Sequence, residues 1–327
     1  MTADGLPPTR RALLEALAEG PVEGPAFAER AGLTRAAVWK HVEALRGSGF
    51  DIESTDRGYE VAGVPGYDGP AIAYGLEAPV AVEFHDSVGS TNDRARELAA
   101  EGATDVAVVA DEQTDSRGRL DREWRSPRGG VWLSILVRPD VPPAHAPAFT
   151  LAAAVAVARA CREAGVDARI KWPNDVVVGG RGARGGRKLC GILTEMEGEA
   201  DRVSWLVVGI GLNANVDPDD LPGGTDATSL ARELGRDVDR RVLTQRVLEE
   251  FDDLTADPDS VLPAWREHAD TLGRRVRVET PGDVVEGIAE DVAFPGALLV
   301  DTDDGEVRVT TGDCEHLRPA GEGRAGN

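Results

Sequence analysis

Ala168-Arg169-Ile170-Lys171-Trp172-Pro173-Asn174-Asp175-Val176-Val177-Val178 leads through a Gly/Arg-rich stretch into Arg187-Lys188-Leu189-Cys190-Gly191-Ile192-Leu193. The pattern predicts strands over 168–171, 176–178 and 189–196, and another over 203–211, with no helical period between them. Strands that follow one another without crossover helices do not build a doubly wound sheet, so this region is α+β with a mixed sheet. The same stretch carries two of the chain's three lysines, Lys171 and Lys188, although Lys and Arg together number 36. Arginine is a planar fork, whereas lysine is a compact point charge suited to a carboxylate or phosphate. Two lysines kept so close together point to chemistry rather than to surface charge.

Upstream, strands are expected over 80–84, 106–110 and 131–138, with helices over 93–100 and 149–163. Two polar motifs interrupt them. Ser90-Thr91-Asn92 opens a helix, with Asp93 at capping-box spacing from Ser90. The loop Gln113-Thr114-Asp115-Ser116-Arg117-Gly118-Arg119-Leu120-Asp121-Arg122-Glu123-Trp124 offers arginines and the Gly118 N–H to an anion. Downstream, Gly209-Ile210-Gly211-Leu212-Asn213-Ala214 spells a dinucleotide fingerprint, but the Asp/Pro/Gly-rich residues after it cannot form the helix that a pyrophosphate needs. A nicotinamide enzyme is excluded. Residues 179–187 hold five Gly and three Arg, read as a flexible hairpin tip, with an RGG-type RNA contact as the alternative.

Residues 1–65 read as a separate module. Leu13, Leu14, Leu17 and Ala18 form a helical stripe, and a second helix is expected near 25–31. The turn Gly32-Leu33-Thr34 then leads into a third helix over 35–46, followed by two alternating strands around Asp56-Arg57-Gly58. Two helices across a tight turn, then a hairpin, describe a winged helix-turn-helix. Thr34, Arg35, Trp39 and Lys40 then lie on the recognition helix, with Arg57 at the wing tip. The module has seven Lys/Arg against ten Asp/Glu, so protein contact or dimerisation is the competing use. Residues 66–79 are rich in Gly and Pro, show little periodicity and read as a linker to a domain over 80–271. Short strands near 276–279, 287–291, 297–301 and 307–310 make 272–327 a third unit.

The chain of 327 residues has net charge −22, with acid spread along its length, and no basic stripe of the kind a general nucleic-acid coater shows. Dispersed acid and scarce lysine suggest a salt-adapted cytosol. Cys161, Cys190 and Cys314 are far apart with no metal-ligand spacing, so free thiols are expected. Neither a leader nor a membrane span is read, and a cytoplasmic location follows as the expectation.

The four motifs, in this order, resemble those of the biotin–protein ligases, and the winged helix makes the chain similar to the family's bifunctional form, which also represses biotin-related genes. The resemblance implies an α+β multidomain chain: an N-terminal winged helix-turn-helix, a central class II synthetase-like mixed-sheet catalytic domain and a C-terminal SH3-like small barrel. It implies that biotin and ATP form biotinyl-5′-AMP, and that biotin then passes to a lysine of the biotin carboxyl carrier domain of an acyl-CoA carboxylase. By the same resemblance Ser90, Thr91, Asn92, Gln113, Arg117, Gly118, Arg119, Lys188 and Gly191 bind biotin. Arg122, Trp124, Lys171, Asn174, Asp175 and Asn213 bind ATP or the adenylate, and Lys188 and Arg119 are the catalytic pair. Mg²⁺ arrives with ATP, near Asp175, without a protein-only site. Carrier domain, operator DNA and a second copy of the chain are the implied partners, with no membrane. Ser116 and Asp121 stand where the family loop usually has glycine, which limits backbone freedom and adds a negative charge near phosphates. Two readings compete: a biotin-sensing repressor without transfer activity, and a lipoate–protein ligase.

Overall fold

The computed structural model describes residues 6–119, 124–179, 186–221 and 226–317. In the first unit α1 (Pro8–Glu19), α2 (Gly24–Arg30) and α3 (Arg35–Gly47) precede a hairpin of β1 (Asp51–Thr55) and β2 (Gly58–Gly63). Thr34 caps α3 as expected, its hydroxyl accepting from Ala37 N at 3.2 Å. Leu13, Leu17, Phe27, Val38, Val42, Leu45 and Ile52 form its own buried core. Gly58 at the wing has φ +120, and a Cβ there would meet Val22 O at 2.3 Å, so only glycine lets the wing pair with the α1–α2 connection.

Residues 66–79, expected to be a linker, contain a helix, α4 (Gly69–Ala73), with Ile72 fully buried in the core of the next unit. Asp68 caps it through Ala71 N at 2.8 Å. Gln245 Nε2 donates to the carbonyls of Ile72 and Tyr74, both at 2.8 Å. Tyr74 reaches the other way, donating its hydroxyl to Leu17 O at 3.3 Å and packing edge-on to Phe50. A five-residue helix is too short to leave a period in the sequence, which is why the Gly/Pro content dominated the reading.

The central unit holds a seven-stranded sheet in the order β3-β4-β5-β9-β8-β7-β6. The strands are β3 (Ala81–His85), β4 (Val106–Ala110), β5 (Val131–Val137), β6 (Ala168–Lys171), β7 (Asp175–Val178), β8 (Arg187–Gly198) and β9 (Val203–Leu212). Of the neighbouring strands only β3 and β4, which α5 connects, run parallel; β6 to β9 follow one another without helices and pair antiparallel. α6 (Ala146–Glu163) covers one face with the short α7 (Leu230–Leu234), α8 (Arg240–Ala256) and α9 (Val261–His268), while α5 (Thr91–Ala100) lies on the other. Side chains alternate accordingly: Leu133 and Ile135 of β5 join the large core, whereas Ser134 and Leu136 face the α5 side. The stretch 143–163 is apolar and long enough to cross a membrane by length and composition, and 61% of its most apolar window is buried inside the protein.

A five-stranded antiparallel sheet forms the C-terminal unit, in the order β13-β12-β11-β10-β14. Its strands are β10 (Arg275–Glu279), β11 (Val284–Ala293), β12 (Ala297–Thr302), β13 (Gly305–Val309) and β14 (Asp313–His316). Trp172 fastens this unit to the central one. It is 1% exposed, its backbone N–H donates to Thr271 Oγ1 at 2.9 Å, and its indole N–H donates to Gly296 O at 2.9 Å.

Candidate active site

The site lies on the α5 face of the sheet, where cross-strand partners share a side. One ladder row runs Trp132–Gly211–Gly191–Asp175 and the next runs Ser134–Gly209–Leu193. Three glycines make this floor. A Cβ on Gly209 would fall 2.2 Å from Asn92 Oδ1, and one on Gly211 would fall 2.8 Å from Trp124 Nε1. At Gly191 it would crowd the Lys188 ammonium at 3.2 Å and the Trp124 ring at 3.3 Å. The G-x-G spacing that imitates a dinucleotide fingerprint is therefore the period of two along β9.

Over that floor opens a cavity of about 230 Å³. Of the residues expected to bind biotin or nucleotide, Ser90, Thr91, Asn92, Gln113, Arg117, Gly118, Arg119, Trp124, Asn174, Asp175, Lys188 and Gly191 line it. Ser116, Ile192, Leu193 and Asp313 also contribute, and sequence reasoning had singled out none of the last three. Asp313 comes from β14, so the C-terminal unit closes one side.

At one end Ser90 Oγ accepts from Asp93 N, capping α5. Thr91 N donates to Gln113 Oε1 at 2.8 Å. Arg117 donates to Asp93 at 2.8 and 3.3 Å and to Glu195 at 3.4 Å. Burial works against the Asp93 charge, but hydrogen bonds and charge from Arg117, with Arg96, outweigh it and hold the carboxyl below its usual range. The departure at Ser116 has a local use: its hydroxyl donates to Trp124 O at 2.9 Å, tying the two ends of the loop together.

At the other end Lys188 Nζ stands 2.8 Å from Asp175 Oδ1 and 5.1 Å from the Trp124 ring centroid. The contact with Asp175 is one of charge, since that oxygen makes no aligned hydrogen bond. Arg119 donates to Asn174 Oδ1 at 2.8 Å and to Gly312 O at 3.0 Å, bridging the K-W-P-N-D turn and the C-terminal unit. Cys190 lies buried behind this end, and burial raises its thiol pKa well above the ordinary value.

Lys171 and Asn213 are not on the cavity wall. Lys171 sits at the seam between units, its charge acting on Asp270, Cys314 and His316. It is carried there because Asp270 N donates to Ile170 O at 2.7 Å and Thr271 holds Trp172. Burial, with Lys171 and Arg274 adding to it, pushes the neighbouring His316 imidazole down to about 3. Asn213 is 2% exposed and donates to Thr228 O at 3.0 Å, its own Oδ1 buried without a partner. Arg122, with Asp121, lies outside the described residues, as do residues 180–185 of the Gly/Arg stretch.

In the first unit Arg35, Trp39 and Lys40 are exposed on α3, Trp39 to 52%, and Arg57 pairs with Glu60 at 2.9 Å. Trp39 is a large apolar side chain left in water on the helix where a groove contact was expected.

Three family models cover this architecture: an HTH domain over 9–60, the biotin/lipoate A/B protein ligase family over 85–213 and the biotin protein ligase C-terminal domain over 271–317. The bifunctional ligase/repressor BirA of Bacillus subtilis is 37% identical, the match covering 90% of this chain and 93% of that one. The biotin–[acetyl-CoA-carboxylase] ligase of Mycobacterium tuberculosis is 38% identical over 70% of this chain and 86% of its own. A biotin protein ligase of Aquifex aeolicus, solved in complex with biotin and ATP, superposes with TM-score 0.58 and 26% identity over 73% of this chain and 99% of that one. With three units in the same order and this identity over nearly its whole length, the chain belongs to the biotin protein ligases, in the bifunctional ligase/repressor form that carries an N-terminal HTH domain.

Proposed function

We propose that the cavity joins biotin to ATP as biotinyl-5′-AMP and delivers the biotinyl group to a lysine of a biotin carboxyl carrier domain. One observation carries the reading: a single pocket has a neutral hydrogen-bonding end at Ser90, Thr91 and Gln113 and a cationic end at Lys188. The first end suits an uncharged ring, the second a carboxylate meeting a phosphate. Adenylation presses those two anions together, and an ammonium fixed beside them stabilises the crowded transition state. Lys188 has that role. Asp175 holds the ammonium until the anions arrive, and Trp124 flanks it. Arg119, bridging Asn174 and Gly312, keeps the C-terminal unit against the site so that water and stray amines stay out. The attacking atoms belong to biotin and then to the carrier lysine, so the enzyme needs no nucleophile. Mg²⁺ would come with ATP as its counter-charge, and Asp175, on the cavity wall beside Lys188, is the carboxylate that would face it.

Incubating the protein with biotin, ATP and a carrier domain should add one biotinyl group to the carrier and release pyrophosphate and AMP, read by mass spectrometry. Lipoate in place of biotin should transfer at least ~100-fold more slowly, as expected when a site built for hydrogen bonding meets a ligand without the matching groups. Equal transfer of both acids would overturn the assignment.

The first unit is proposed to bind operator DNA as a dimer of adenylate-loaded chains, one α3 in each major groove. Trp39→Ala combined with Lys40→Ala should weaken binding to a DNA site selected from random sequence by at least ~10-fold, about 1.4 kcal/mol. Carrier biotinylation should change less than ~2-fold, both residues lying on α3 and outside the cavity wall. Arg35, Lys40 and Arg57 are few cations for phosphate contact, so on the order of two or three contacts per chain should give a shallow salt dependence. Failure to enrich any DNA motif at any salt would make this unit a protein-contact module.

A further inference from the structure

We infer that Thr228 and Glu233, which no binding motif includes, are positioning residues for Lys188: they hold a break in the β7–β8 pairing that turns the lysine onto the cavity face. The inference rests on the role given to Lys188 in adenylation and supplies what puts the ammonium there.

Side chains alternate along a regular strand. Gly191 lines the cavity, so in a regular β8 Leu189 would face it too, and Lys188, three residues before Gly191, would point into the core. The register shows how this is avoided. Asp175 pairs with Gly191 and Val176 with Cys190, but Val177 pairs with Lys188, so β7 advances one residue while β8 advances two. Leu189 is the extra residue of a β-bulge, a device that re-aims the side chains beside it. Leu189 and Cys190, consecutive in sequence, both join the core under α6. Lys188 thereby regains the face of Gly191 and Asp175, where its ammonium meets the Asp175 carboxylate at 2.8 Å.

A bulge disrupts the ladder, and here it falls where the neighbouring strand stops. β9 reaches only Leu212, opposite Cys190. Beyond it Asn213 N donates to Leu189 O at 3.0 Å, and Thr228 N donates to Lys188 O at 2.9 Å, with Ala227 bridged to Lys188 in parallel. Residues 227 and 228 thus stand in for β9 beside the lysine. Thr228 is fully buried, and its hydroxyl donates to the Glu233 carboxylate. Glu233, on α7, also pairs with Arg187 at 2.9 Å. One carboxylate therefore clasps the residue before Lys188 by its guanidinium and the carbonyl of Lys188 by way of Thr228. Loss of the clasp frees this end of β8 to slip, and a slip of one residue carries a side chain to the other face.

With only three lysines in the chain, the position of one of them can be read directly. In protein carrying isotopically labelled lysine, the NMR signal missing from Lys188→Ala identifies Lys188. The Trp124 ring, 5.1 Å from its ammonium, should shift its ε-methylene protons upfield. Thr228→Val keeps the buried shape without the hydroxyl, and Glu233→Ala removes the carboxylate. In ligand-free protein both should lose that shift, while the Lys40 and Lys171 signals stay in place and report an intact fold. With biotin and ATP, both should lower kcat for pyrophosphate release ~10–100-fold, the cost of misplacing a catalytic group by about an ångström, with KM for biotin within ~2-fold. Glu233→Gln, still able to accept from Thr228, should recover most of the rate and of the shift. Added to Lys188→Ala, Glu233→Ala should cost nothing further, whereas a general loosening would add its own loss. A parent-like Lys188 signal or a parent-like kcat in either variant, or a further loss on the Lys188→Ala background, would overturn the inference. A parent protein that releases no pyrophosphate from biotin and ATP would instead overturn the biotin reading, and the lysine signals would still test the clasp.

Discussion

Lys188→Ala should slow biotin-dependent pyrophosphate release by about 10²–10³-fold, the loss met when one fixed electrostatic partner of a transition state is removed. The ammonium stands beside Asp175 and Trp124 over the Gly191 floor. Lys188→Arg should recover little. A planar guanidinium cannot take the point-charge position that the ammonium holds beside Asp175 and the Trp124 ring. Stability should barely change. The pair with Asp175 is partly open to solvent, 37% and 24% on the two side chains, where an ion pair contributes about 0–1 kcal/mol. A normal melting curve with lost pyrophosphate release is the expected outcome. Near-normal release by the alanine variant would remove Lys188 from the chemistry.

Trp172→Ala should have the largest effect on stability, about 3–5 kcal/mol, as for other deletions of a buried aromatic side chain. Beyond the cavity, the change deprives Gly296 O of the indole hydrogen bond and loosens the seam where the residue after β6 meets Thr271 and Gly296 of the C-terminal unit. Trp172→Phe keeps most of the volume and should cost about 1–2 kcal/mol for the unpaired carbonyl. Urea denaturation measures both, and hydrogen exchange should accelerate first in β10 and β14. A cost below ~1 kcal/mol for the alanine variant would mean that the seam is held elsewhere. Because Arg119 reaches Gly312 across the same seam, the alanine variant should also lose adenylate more readily.

The parts of this fold that were legible in sequence are those with local causes. The Thr34 and Ser90 caps, the α3 stripe and the consecutive strands of the sheet all follow from patterns within a few residues. Other parts carried a signal that was passed over. Leu243, Val247, Leu248, Phe251 and Leu254 form the i, i+4 stripe of α8, and Ser134 is the single polar residue in the otherwise apolar β5. Others depend on tertiary contact alone. α4 is short and held by Gln245, and β14 reads as polar because only Cys314 and His316 turn inward. Lys171, expected at the nucleotide with the rest of K-W-P-N-D, lies off the cavity wall. In the structure Asn174 and Asp175 line the cavity while Trp172 is buried at the seam, so the motif serves both.

The scarcity of lysine has a chemical consequence for an enzyme that handles an activated acyl group. A mixed anhydride of biotin and AMP is opened by free amines, and the nearest protein surface is the ligase's own. Of its three lysines, Lys188 is paired with Asp175 and Lys171 is partly buried at the seam, so Lys40 on α3 is the exposed one. The other 33 basic side chains are arginines, whose guanidinium stays protonated and is no nucleophile at neutral pH. The molecule thus carries its positive charge in a form that its own product cannot label, and what escapes the pocket finds almost no acceptor before it reaches solvent.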